Sequence, residues 1–519
     1  MTLPTRPLPA LFLLLCVVLP AQALPAAGTA LHWFRDDAPT PQARAVVRAL
    51  EAAEDRGLRA SDYDAAHLAS ALAGPSPPRE QLAVLEAALD RSVTRFVNDL
   101  RRGRVDPARA GFNLRYSQPA LPAAEVVARL AGSGDVAASL QGYEPRFLHY
   151  RLLEQWLVRY RDLARQRPQL TALPPLPRRS VKEGEDYSGS PALRRLLAAL
   201  GDLPEPATGQ SAENTRYDAA LAAGVRHFQD RLGLPADGAL GRKTWDALSV
   251  PLTQRVRQIE LTLERWRWLP EFSTPPIIVN IPQFRLFAFR TTEDRYDDIL
   301  QMPVIVGESF PGKRTPVFAA DLKQLVFRPF WDVPESILRK ELLQPIQKDP
   351  AYLERHHLEL VRGQGDDSPV VAPTPDNIEA LAAGRLRLRQ RPGPDNSLGL
   401  LKFVFPNDYG VYMHGTPAQE LFARSRRDFS HGCIRLSDPA GLAVHVLRDN
   451  DGGWSRERIE SLMSTAEDST RVVLARPIRV LVLYGTALAT EDGRLLLFDD
   501  IYGHDRRLER LLAATVRSP

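Results

Sequence analysis

At Pro276 the hydrophobic period of the chain changes, and that change limits the possible folds more than any other feature. From about Leu31 to Leu170 apolar residues recur at three- and four-residue spacing, as in Ala45-Val46-Val47-Arg48-Ala49-Leu50 and from Leu82 to Leu100. Helices that bury one stripe have this pattern. Beyond Pro276 the runs Ile277-Ile278-Val279-Asn280-Ile281, Phe284-Arg285-Leu286-Phe287-Ala288-Phe289 and Met302-Pro303-Val304-Ile305-Val306-Gly307 read as strands. A helical half followed by a β-rich half, in 519 residues, excludes a single small module and predicts a multidomain α+β protein. A net charge of +4 is too small for a nucleic-acid binder of this length, so nucleic acid is not expected as a partner.

The first residues point to export. Arg6, the apolar run Leu8 to Leu19 and the small-residue site Ala21-Gln22-Ala23 have the order of a cleaved secretory signal, assigned to 1–23, with a retained anchor as the alternative. No later apolar run is long enough to span a bilayer without charges, so a mature chain without a transmembrane span, outside the cytoplasm, is expected. The chain has two cysteines, Cys16 and Cys433. Removing the signal leaves Cys433 alone. An unpaired thiol in an oxidising compartment is either buried and inert or kept for chemistry.

Composition shifts divide the rest. A helical scaffold is expected over 24–178, ending in the Pro-rich break around Pro174-Pro175-Leu176-Pro177, followed by a small three-helix unit over 179–250. A helix over 251–275 returns to the scaffold, and its Trp266 and Trp268 are expected to pack an inter-domain joint. A β-rich domain, read as a mixed-sheet sandwich, covers 276–478, with a helical insertion over 335–395 as a candidate lid. Strands and a helix close the chain over 479–519.

The stretch from Val225 to Leu248 carries Val225, Phe228, Gln229, Gly233, Leu234, Asp237, Gly238, Gly241, Thr244 and Leu248. It resembles the peptidoglycan-binding domain family, and most of these positions are expected to be structural.

The strongest chemical signal is Tyr412-Met413-His414-Gly415-Thr416-Pro417 followed by Ser430-His431-Gly432-Cys433-Ile434-Arg435-Leu436. A nucleophilic cysteine needs an imidazole to take its proton, a group that orients the imidazole and donors for an oxyanion. His414 can project from the end of a strand, and a backbone carbonyl near Gly415 or the Thr416 hydroxyl can orient it. The N–H groups around Gly432 and Cys433 are candidate oxyanion donors. Arg435 is expected to favour a thiolate and lower the thiol pKa from ~8.5, or to hold a substrate carboxylate.

This constellation resembles the active-site signature of the L,D-transpeptidases, in its larger periplasmic type. The stretches Arg391 to Gly399, Phe405-Pro406-Asn407 and Phe330 to Pro334 fit the same pattern. The resemblance implies Cys433 as nucleophile and His414 as proton donor and acceptor. Ser430, His431, Gly432, Arg435, Gly415, Thr416 and Tyr412 fall on supporting positions. Many relatives carry Asp or Ser where Gly415 stands, which leaves backbone carbonyls to orient the imidazole. The resemblance further implies 3→3 cross-linking of peptidoglycan stems through a thioester, no cofactor, and acylation by carbapenems. Partnership with other cell-wall synthases belongs to the same expectation. Water as acceptor would make an L,D-carboxypeptidase, and a lipoprotein Lys a protein-anchoring ligase. Rival readings are a non-catalytic wall-binding scaffold and a zinc peptidase. None of the ten His stands in an H-E-x-x-H arrangement.

Overall fold

The computed structural model describes residues 31–74, 78–114, 116, 118–203, 214–291 and 299–515. The segment read as a signal, 1–23, lies outside them. Thr40 opens the helical bundle: its side chain accepts from the Ala43 N–H at 3.1 Å, with Pro41 in the first turn of α1 (Pro41–Glu51). Ala43, Val46, Val47 and Leu50 then face α2 (Ala65–Ala73), α3 (Arg79–Arg102), α4 (Ala123–Ala131) and α5 (Val136–Gln141) in one apolar core. Among the described residues no helix is long and apolar enough to cross a membrane.

After α3 the chain leaves this bundle. Gly103 marks the crossing, at φ +76°, where a Cβ would stand 2.7 Å from the Trp268 indole nitrogen. Immediately beyond, the Arg104 and Val105 N–H groups donate to Glu264 Oε1 at 2.5 and 3.0 Å. The buried Glu264 also pairs with Arg104 and Arg267 at 3.4 and 3.5 Å. Val105, Phe112, Leu114 and Trp268 belong to the core of the β domain, with Phe112 edge-on to Trp268 at 5.6 Å. A segment that begins in the bundle therefore ends inside the β domain.

A second core joins four parts of the chain. Helix α6 (Leu148–Gln166) packs on the small unit α7 (Ser190–Leu200), α8 (Ala219–Arg231) and α9 (Arg242–Leu248) and on α10 (Leu252–Trp266). The same core takes in Ala487, Ala489, Leu495 and Leu497 of a C-terminal hairpin. Gln229 holds the turn between α8 and α9, donating to Asp237 Oδ1, Ala239 O and Thr244 Oγ1 and accepting from the Gly238 N–H at 2.8 Å. Arg231 forms a buried pair with Asp202 and donates to the Leu495 carbonyl at 3.2 Å. The His149 Nδ1–H donates to Ala489 O at 2.8 Å, so this histidine anchors the hairpin.

The β domain is built on β1 (Ile277–Asn280), β2 (Arg285–Ala288), β3 (Leu300–Gly307), β4 (Phe318–Phe327), β5 (Leu401–Val404), β6 (Met413–His414), β7 (Asp428–Ser430), β8 (Ile434–Leu436) and β9 (Thr470–Leu483). Their order is β7-β3-β8-β6-β5-β4-β9-β1-β2, and β2 also pairs with the first half of β3. That last pairing closes the sheet. The expected sandwich is thus a closed barrel, with parallel pairs β6–β8, β9–β1 and β7–β3. Strand β9 runs through the expected boundary at 478/479. Its register against β4 shifts between Val473 and Ile478, and the Asn450 side chain bonds Val473 O and Ala475 N at the irregularity.

The insertion over 335–395 is not purely helical. Between helical turns at Glu335–Ile337, Leu343–Lys348, Ala351–Arg355 and Pro375–Ala382, strands Leu358–Val361, Val370–Val371 and Arg387–Gln390 form a sheet with Trp331–Asp332. Leu360 and Leu388 face the insertion's own small core, while Glu359 and Arg389 pair on the other face at 2.5 Å. A cavity of about 530 Å³ opens on that charged face, lined by Glu354, His357, Glu359, Arg389, Arg391 and Asp395 among others; Cys433 and His414 are not in its lining.

Candidate active site

Strand β6 lies between β5 and β8. Its register places His414 opposite Lys402 on one side and Arg435 on the other, and Met413 opposite Phe403 and Ile434. Met413, Phe403, Ile434 and Leu436 are completely buried in the barrel core. Strand alternation then sends Lys402, Tyr412, His414, Cys433 and Arg435 to the opposite face. The Ile434 N–H donates to Tyr412 O at 3.1 Å, which extends the ladder by one residue and sets Cys433 beside Tyr412. His414 is the diagonal neighbour of Cys433 on that face.

The His414 ring is buried, and its Nδ1 lies 2.5 Å from the Gly415 carbonyl. A carbonyl only accepts, so Nδ1 carries the hydrogen and Nε2 keeps its lone pair. The Thr416 hydroxyl instead accepts from the Ala418 N–H at 3.2 Å. The backbone next to this carbonyl approaches the turn at Gly399, where φ is +62° and a Cβ would meet Thr416 N at 2.8 Å.

Ser430 holds the turn before the thiol. Its buried Oγ donates to Cys433 O at 2.6 Å and accepts from the Gly432 N–H at 3.1 Å. That occupies one of the two expected oxyanion donors; among the described residues no acceptor holds the Cys433 N–H. Gly432 sits at φ +123°, in the region that favours glycine. His431 points away from the thiol, with Nε2 2.6 Å from Glu341 Oε1 in the insertion.

Burial dominates the electrostatics. It pushes the Cys433 thiol above its ordinary value of 9.0, against hydrogen bonds from Tyr412 and the charges of Lys402 and Arg435. The expectation that Arg435 leaves a lowered thiol pKa is therefore reversed: its charge acts in that direction, but burial of the sulfur outweighs it. Burial, and then the Arg435 charge, push His414 down to about 3. Burial and the nearby Cys433 charge raise the Tyr412 phenol well above its usual range. At rest the thiol and the imidazole are both uncharged, with no preformed ion pair between them.

Two residues near the site escaped sequence reasoning. Lys402 Nζ lies 4.2 Å from the centre of the Tyr412 ring, and burial lowers its pKa. A lysine between Leu401 and Phe403 in an apolar strand was the available signal. Glu341 is 90 positions from its partner His431 and carried no local signal. Among the described residues no three His, Cys, Asp or Glu side chains gather in a way that could hold a metal ion.

Three family matches cover most of the chain. Residues 25–157 match a scaffold domain, residues 189–248 a peptidoglycan-binding domain and residues 275–474 the L,D-transpeptidase catalytic domain. A curated protein of Haemophilus influenzae named "Putative L,D-transpeptidase" is 31% identical over 253 residues, 49% of this chain and 49% of that protein. The chain thus spans about half the length of that relative. The crystal structure of the L,D-transpeptidase from Xylanimonas cellulosilytica aligns over 60% of this chain and 100% of that one, at 14% identity and a TM-score of 0.16. That of a fused Zn-dependent amidase/peptidase/peptidoglycan-binding domain protein from Clostridium acetobutylicum aligns over 59% and 99%, at 12% identity and a TM-score of 0.16. At such scores neither structure carries an argument. Residues 275–474, which contain His414 and Cys433, thus match the L,D-transpeptidase catalytic domain, and stretches that match a scaffold domain and a peptidoglycan-binding domain precede them.

Proposed function

We propose that this protein is an L,D-transpeptidase that forms 3→3 cross-links between peptidoglycan stem peptides, outside the cytoplasm, with Cys433 as nucleophile. The observation that carries the reading is the face shared by Cys433 and His414, with the imidazole neutral and its Nδ1–H tied to Gly415 O. His414 Nε2 takes the thiol proton as Sγ attacks the carbonyl carbon between the third stem residue and the terminal D-Ala. The carbonyl electron pair moves to oxygen, facing the Cys433 N–H. Collapse expels the D-Ala amine, which receives the proton from His414, and leaves a thioester. An acceptor amine then attacks the thioester and returns the thiol.

The cationic pair Lys402 and Arg435 offsets negative charge at sulfur and oxygen during both steps. Ser430, His431, Gly432, Gly415, Thr416 and Tyr412 are assigned supporting roles by the contacts described above. The unit over 179–250 holds the enzyme on the wall, and carbapenems acylate the same thiol. The test is mass spectrometry of disaccharide-tetrapeptide incubated with the protein and with Cys433→Ala. Cross-linked dimers absent with the variant support transpeptidation. Tripeptide and D-Ala alone mean an L,D-carboxypeptidase, and no change points to a protein acceptor or a wall-binding scaffold.

A further inference from the structure

The peptide bond before the thiol is held by Thr315, and Thr315 is braced by Tyr502, which lies beyond the matched catalytic domain. The Thr315 hydroxyl is fully buried, donates to Gly432 O at 2.8 Å and accepts from the Gly307 N–H at 2.8 Å. The buried Tyr502 hydroxyl in turn donates to Gly307 O at 2.5 Å and accepts from the Thr315 N–H at 3.3 Å. Tyr502 is fixed by its own N–H, which donates to the Tyr484 hydroxyl at 2.9 Å, and Tyr484 donates to Asp500 at 2.7 Å. Gly307 allows the approach: a Cβ there would lie 2.0 Å from Lys313 O and 2.7 Å from Thr315 N.

A trans peptide is planar, with its C=O and N–H pointing in opposite directions. A bond that holds Gly432 O therefore also sets the direction of the Cys433 N–H, the donor left free by Ser430. Gly432, at φ +123°, has wide backbone freedom, so without the Thr315 bond this plane can rotate.

We propose that Thr315 and Tyr502 are positioning residues for the thiol: they aim the Cys433 N–H at the oxygen that becomes anionic when Sγ attacks a carbonyl. The C-terminal segment carrying Tyr502 is thereby part of the catalytic unit. The proposal deepens the transpeptidase reading and rests on it for the natural substrate, while the orientation itself is testable with any acyl donor.

The experiment compares two reactions of Cys433 in the full chain. Iodoacetamide alkylates sulfur by displacement of iodide at a saturated carbon and develops no oxyanion. With p-nitrophenyl acetate, Sγ bonds to the carbonyl carbon, the thiol proton passes to His414, the carbonyl pair moves to oxygen, and collapse breaks the ester bond and releases p-nitrophenolate. Thr315→Val and Tyr502→Phe are expected to lower the acylation rate at least about tenfold, below the 10²–10³ typical of a donor lost outright. Alkylation stays within about twofold, and Thr315→Ser, which keeps the hydroxyl, recovers most of the acylation. Equal losses in both reactions, unchanged acylation in Thr315→Val, or no recovery with Ser would overturn the proposal. If wild-type protein acylates normally yet leaves the tetrapeptide untouched, the transpeptidase reading fails while the ratio of the two rates still decides this one.

Discussion

A resting thiol and imidazole that are both uncharged make a sharp prediction for reactivity against pH. The perturbation is His414→Gln, read by the rate of iodoacetamide alkylation of Cys433 from pH 5 to 10. With the thiol above 9.0 and the imidazole near 3, no ion pair exists between those limits. At pH 7 the thiolate is then at most about 1% of the population, because each pH unit below the pKa is a factor of ten. The wild-type rate should climb about tenfold per unit between pH 6 and 9, without a plateau. His414→Gln should follow the same line within about threefold, since a neutral ring does little to hold a thiolate. Arg435→Met and Lys402→Met should shift the rise to higher pH, because both charges favour the ionised sulfur. A flat wild-type rate from pH 6 to 8 that disappears in His414→Gln would refute the reasoning and restore the ion pair.

Three further outcomes follow from named contacts. An unfolded imidazole titrates near 6.5 and the folded one near 3, so the unfolded state binds the extra proton in that window and stability falls as pH drops from 6.5. Unfolding free energies from urea titrations at pH 7 and 5 should differ by up to about 2 kcal/mol more in wild type than in His414→Gln. Glu341→Gln weakens a half-exposed contact to His431, worth about 1 kcal/mol or less; amide exchange over 335–348 should rise by at most about fivefold, with the barrel unaffected. Arg231→Met leaves the buried Asp202 with only its contact to His227 at 2.7 Å, at a cost of up to about 3 kcal/mol. Thermal unfolding should show the core around α7 and α8 melting first, and an unchanged melting profile would contradict this.

Local chemistry was the legible part of the site. The residues from Ser430 to Arg435 and the strand ending at His414 are contiguous, so thiol, base and turn can be read from adjacent positions. The carbonyl partner of the imidazole was also within reach, because Gly415 removed the side-chain option. Barrel closure was not legible: β2 pairs with β3 across a connection whose length says nothing about the register. The strands of the insertion were hidden for another reason. Arg387-Leu388-Arg389-Gln390 has only one apolar residue, and its alternation makes sense only once Glu359 and Asp332 supply opposite charges across the sheet. The direction of the thiol pKa is not legible in the sequence, because a charge two residues away is visible there whereas desolvation by the surrounding fold is not.

The hairpin of Ala487–Ala489 and Leu495–Leu497 completes the core that α6 and α8 begin more than 250 residues earlier. During synthesis the small helical unit therefore waits, its shared core incomplete, until the hairpin has been made. A premature stop within β9 would injure the small helical unit and the barrel together. Exchange of that module between homologues would have to carry the distant hairpin with it.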